Sequence, residues 1–107
     1  TDFSSTIANI PDDVGALVVV KGGTDALAFL TQYAQSGGDL PIIAGSIMAD
    51  QTLMSARGPH QRLMEGMVSA GPIAALHDDP MWTDFVRRYR ERFPDAFESP
   101  SIHAVNY

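Results

Sequence analysis

Two short runs constrain this chain more than anything else in it. "GALVVVKG" (residues 15–22) and "LPIIAGS" (residues 40–46) are apolar and rich in β-branched side chains. Neither alternates with polar residues as a half-solvated strand does, so each predicts a strand of a parallel sheet buried on both faces. Between them lies "GTDALAFLTQYAQSGG". Its Leu27, Leu30 and Ala34 share one helical face, with Phe29 and Tyr33 beside them. Asp25 falls in the first turn, where a carboxylate suits the helix dipole. The Gly37-Gly38 pair ends the helix with a C-terminal cap. Strand, helix and strand in that order predict a βαβ unit with a right-handed crossover.

Weaker signals flank this unit. "DFSSTIANIPDD" predicts a short helix over residues 4–10, stopped by Pro11. Residues 49–57 read as another short helix ending at Gly58-Pro59, and "EGMVSAGPIAA" reads as a weaker third strand over residues 66–70. The clearest helix comes late, in "DDPMWTDFVRRYRERFP". Asp78 or Asp79 can cap it, Pro80 suits its first turn, and Pro94 ends it. Trp82, Phe85, Val86, Tyr89 and Phe93 lie on one face, and Arg87, Arg88, Glu91 and Arg92 on the others. A final helix is expected to begin near Ser99 or Ser101 and to run to Tyr107. The four-ring face needs a partner surface, and self-association of the chain through it is expected.

Composition narrows the function classes. At 107 residues the chain is one domain or less, and 45% hydrophobic with 19% charged residues is a globular balance. The net charge of −6 opposes general binding to nucleic acid and to anionic lipid. The late arginines therefore read as the polar side of an amphipathic helix. There is no Cys, hence no disulfide and no thiolate metal site or nucleophile. His60, His77 and His103 lie far apart without ligand spacing, so no metal and no cofactor is expected. "VVVKGG" is neither a P-loop nor a dinucleotide fingerprint, and Ser46 has no evident base partner. No run approaches the roughly 20 apolar residues of a membrane helix.

The ordered series "DFSSTIANI…ALVVVKGGTDALAFLTQYAQSGGDLPIIAGS…EGMVSAGP…DDPMWTDFVRRYRERFP…PSIHAVNY" resembles the solute-binding proteins of ABC importers. More narrowly it is similar to the type I periplasmic-binding fold of the leucine/isoleucine/valine-binding class. The likeness covers nearly all of this chain but about a third of a whole family member. It implies an α/β fold: a partial type I lobe with a parallel sheet of about three strands flanked by helices. Residues 1–71 would belong to the C-terminal lobe and residues 72–79 to an interlobe crossing. Residues 80–107 would form two helices returning to cover the N-terminal lobe.

The resemblance also implies a role. It is capture of a small amino acid or an organic or aromatic acid outside the cytoplasm, by hinge closure, for a membrane permease, with no catalysis. Ligand contacts in such a lobe come from loops at the C-terminal strand ends, where open α/β sheets bind their ligands. The matching positions are Lys21 and Gly22, with Gly45, Ser46, Ile47 and Met48 after the second strand, and Ser101 and Ile102 near the last helix. A Lys beside an Ile/Met wall suits an acid with a hydrophobic body better than an α-amino acid. Two other readings stand beside this one: a small flavodoxin-like enzyme domain working from the same loops, or the ligand-sensing domain of a receptor or regulator.

Overall fold

A computed structural model describes residues 1–71, 76–96 and 100 of the chain. It divides the chain into two compact units, Thr1–Gly71 and Pro72–Tyr107.

The first unit is an α/β layer. Helix α1 (Ser4–Ala8) leads to strand β1 (Leu17–Val19), helix α2 (Gly23–Gln35) and strand β2 (Ile42–Ala44). A 3₁₀ turn over Ser46–Ala49, helices α3 (Gln51–Ser55) and α4 (Gln61–Met64), and strand β3 (Val68–Ser69) follow. The three strands pair in parallel in the order β1-β2-β3, with Leu17 opposite Ile42 and Ile43 opposite Val68. The expected βαβ unit is therefore present and extended by a third strand. The four-residue helix α4 is too short to carry a periodic signal.

Helix α2 anchors the unit. Ala26, Phe29, Leu30, Tyr33 and Ala34 are buried on it and join Val19, Ile42 and Ala44 from the sheet. Met48, Leu53 and Leu63 complete the same core. Its last turn closes as a Schellman motif: the Gly37 amide donates to the Ala34 carbonyl and the Gly38 amide to the Tyr33 carbonyl, at 3.1 and 3.0 Å. Gly37 takes φ 83°, which a residue with a Cβ adopts only with strain.

The lead-in is tied to α2 as well. The Phe3 amide donates to Gln32 Oε1 at 2.7 Å, and Gln32 Nε2 donates to the Thr1 carbonyl at 2.8 Å. The Phe3 ring then meets Phe29 edge-on at 5.6 Å.

The sheet departs from the expectation of two-sided burial. Val19, Ile42 and Ala44 face the helices and are buried. Val18, Val20 and Val68 are 73%, 74% and 65% exposed, and Ile43 is 48% exposed. The described helices of this unit form one layer, so the strands are covered on one face and open on the other.

In the second unit, helix α5 (Pro80–Arg92) matches its sequence signal closely. Asp79 Oδ1 accepts from the Met81 amide at 2.8 Å and the Trp82 amide at 3.4 Å, a side-chain cap with Pro80 at the first position. Arg90 and Arg92 lie in its last turn, where cations suit the dipole. Trp82, Phe85, Val86 and Tyr89 are half-buried, and Phe93 is exposed. The expected final helix, and with it Ser101 and Ile102, lies outside the described residues, as do residues 72–75 of the expected crossing.

Candidate functional site

Parallel strands direct their C-terminal ends to one edge of the sheet, and the loops that follow are gathered there. After β1 the chain passes through Lys21 and Gly22 into α2; after β2 it passes through Gly45 into the 3₁₀ turn at Ser46. These two loops touch. A Cβ at Gly22 would lie 3.1 Å from Ile47 Cγ2, so the main chain after β1 runs directly beneath the Ile47 side chain. A Cβ at Gly45 would lie 3.3 Å from Val20 Cγ1, the reciprocal close approach. The third strand-end loop lies beside them: a Cβ at Gly71 would lie 3.7 Å from Ser46 Cβ, at ordinary van der Waals distance. Gly22 and Gly45 therefore stand where one loop passes close over the other and a side chain would crowd its neighbour.

The backbone of this edge is partly committed. The Gly45 amide donates to the Val19 carbonyl at 2.9 Å, which closes the β1–β2 ladder, and the Met48 amide donates to the Gly45 carbonyl at 3.0 Å. The start of α2 is different. Its N-cap is Gly22, in extended conformation, and among the described residues no side chain caps it, so the first-turn amides can serve an acceptor. Of the candidate side chains, Ile47 is 48% exposed, while Lys21 and Ser46 are half-buried. Met48 is fully buried and belongs to the core, so its side chain presents nothing to a ligand.

Lys21 is held by a contact that local sequence does not disclose. Its Nζ sits 4.9 Å from the centre of the Phe3 ring, a cation–π contact between residues 18 positions apart. It turns toward the α1 side of the loop, and no ion pair to it occurs among the described residues. Phe3 and Gly71 are thus the two residues the sequence reading did not select. His60, by contrast, is buried at 1% exposure, and among the described residues neither of its nitrogens has a hydrogen-bond partner. No group of three or more His, Cys, Asp or Glu able to hold a metal occurs among the described residues. No described helix is long and apolar enough to cross a membrane.

The arrangement is that of an open, parallel α/β lobe with its candidate site on the loops at the carboxyl ends of the strands. The family model described as periplasmic binding protein matches residues 1–107, and the chain belongs to that family. No curated protein and no solved structure matches it. The family fits the one-layer α/β unit with its three-stranded parallel sheet, and a solute-binding role in general.

Proposed function

We propose that the chain is part of an extracytoplasmic solute-binding protein of the leucine/isoleucine/valine-binding class. In this reading it captures a small organic acid for the permease of an ABC importer. The observation that supports it best is the seating of Ile47 on Gly22, which joins two strand-end loops into one surface beside the uncapped start of α2.

The ligand lies across this surface and a second lobe closes over it. Closure is favoured because the ligand makes contacts with both lobes only in the closed state. The carboxylate of the ligand accepts from first-turn amides of α2 and is attracted by the Lys21 ammonium. Ile47 packs against the apolar body, with Ser46 as a polar neighbour. Residues 21–23 and 45–48 contain no carboxylate to hold an ammonium group, which favours an aryl or alkyl carboxylate over an α-amino acid. No bond is made or broken in this mechanism, and the ligand leaves unchanged.

The test is calorimetric titration of the protein containing this chain and both lobes, with a panel of aryl and alkyl carboxylates beside the α-amino acids. Saturable binding of a carboxylate at roughly micromolar Kd is expected, weakened about tenfold or more by Ile47→Glu. Product recovered in place of ligand would favour the enzymatic reading. Failure of every compound to bind, or indifference to Ile47→Glu, would refute this surface as the site.

A further inference from the structure

Lysine is a compact, strongly hydrated charge on a flexible stem, so an unheld lysine in a loop samples many positions. Lys21 is held instead. Its Nζ lies 4.9 Å from the centre of the Phe3 ring, within the range over which a ring face attracts an ammonium. Phe3 is itself fixed at three points. Its amide donates to Gln32 Oε1 at 2.7 Å, its carbonyl accepts from the Ile7 amide at 2.9 Å, and its ring meets Phe29 edge-on at 5.6 Å. These partners lie on α1 and α2, so the first unit supplies the whole support of the ring from its own residues.

The chemistry of the partner matters as much as its position. A carboxylate beside Lys21 would hold the ammonium and cancel its charge. An aromatic face holds it and cancels nothing, because the ring has a quadrupole but no net charge. Two acidic residues close in sequence are turned to the lead-in. Asp2 Oδ1 accepts from the Ser4 amide and hydroxyl, and Asp25 Oδ1 accepts from the Thr1 hydroxyl at 2.9 Å. Among the described residues no carboxylate pairs with Lys21.

Resting on the carboxylate reading above, we propose that Phe3 is a positioning residue of the candidate site. Its ring steadies the Lys21 ammonium at the end of β1 and leaves that charge to an anionic ligand. Phe3 touches no ligand and acts through Lys21. A steadied ammonium loses less freedom when a carboxylate arrives, and it favours an anion over an uncharged isostere.

Calorimetric titration of the protein containing this chain and both lobes tests this, with benzoate as probe and benzamide as its uncharged counterpart. Phe3→Leu should weaken benzoate binding about two- to fivefold, the range one cation–π contact supplies. In a Lys21→Met background the same substitution should leave benzoate affinity nearly unchanged, and benzamide should not respond in either background. A role confined to packing would weaken both probes, with or without Lys21. Should Phe3→Leu prevent folding, a trifluorinated phenylalanine at position 3 keeps the ring's shape while withdrawing its electrons, and benzoate binding should weaken in the same direction. Benzoate affinity that ignores Phe3→Leu, tightens with it, or falls equally without Lys21 would overturn the inference and leave the carboxylate reading standing. A ligand-free measurement separates the two. The Lys21 ε-methylene protons should be shifted upfield by the Phe3 ring, and an ordinary shift overturns the contact whatever the ligand. If the upfield shift is present and benzoate does not bind, the carboxylate reading is what fails, and the role of Phe3 toward a ligand falls with it.

Discussion

At the scale of single residues, the structure turns on places where a side chain has no room. Gly38 is the sharpest. A Cβ there would overlap the Tyr33 ring, which is 4% exposed, stacks on Phe29 at 5.9 Å and accepts from the Leu40 amide through its hydroxyl at 3.2 Å. Burial, the stack and the hydrogen bond together oppose any displacement of the ring. Gly38→Ala is expected to destabilise the chain by about 1–3 kcal/mol, as overpacking does. Chemical denaturation reads the loss, and a double-mutant cycle tests its cause. In a Tyr33→Ala background the penalty of Gly38→Ala should largely disappear; an undiminished penalty would place its origin in the backbone instead. The same scale explains what the sequence withheld about the candidate site. "GSIM" reads as an open loop, and the 3₁₀ turn that sends Ile47 outward and Met48 into the core is a product of packing. Lys21 and Phe3 meet only because Gln32 pins the lead-in against α2, a relation no local window contains.

At the scale of elements, α5 was the most legible segment and α4 the least. Helix α5 announces itself through a cap, a proline, an apolar stripe and a stop, and each lies where the structure uses it. Its polar side is organised by Arg87, which donates to Asp84 at 2.7 Å and to Glu91 at 2.6 Å, one turn away in each direction. Arg88 adds a second contact to Asp84 at 3.0 Å. The Arg87 guanidinium holds the Asp84 carboxyl below the ordinary aspartate range. A depressed folded-state value means that Asp84's contribution is fully present above the ordinary value. It fades as pH falls through the lowered one. These charges are solvent-exposed, so the acid loss should be slight and should shrink further with salt. The Asp79 cap matters more. Asp79→Ala removes the side-chain acceptor that Met81 and Trp82 donate to, and it should cost α5 about 1 kcal/mol. Tryptophan fluorescence during denaturation reports it directly, since Trp82 is the only Trp and lies in the first turn. Asp79→Asn, which retains the acceptor, should recover most of the loss, whereas equal losses for both would trace the effect to charge.

At the scale of the whole molecule, the fold class followed from two runs of sequence, but the coverage of the sheet did not. An unbroken apolar run states that a strand expects neighbours on both faces. It does not say whether the same 107 residues supply them. The described residues of the first unit answer on one side only: helices lie over Val19, Ile42 and Ala44, and Val18, Val20, Ile43 and Val68 stand open. The adjacent isoleucines of "PIIA" make this asymmetry measurable, because they share residue type, strand and sequence neighbourhood. Ile42 is 2% exposed and Ile43 is 48% exposed. Ile42→Ala leaves a cavity among α2 and the strands and should cost about 2–5 kcal/mol. Ile43→Ala removes a side chain already half in water, and should cost under about 1 kcal/mol. Chemical denaturation measures both. Similar penalties would mean that Ile43 lies under a second layer of packing, and the one-sided sheet would have to be abandoned. If the penalties differ as expected, repeating the pair in a protein that carries both lobes gives the complementary reading. A covering supplied there raises the cost of Ile43→Ala toward that of Ile42→Ala, and an open face leaves it unchanged.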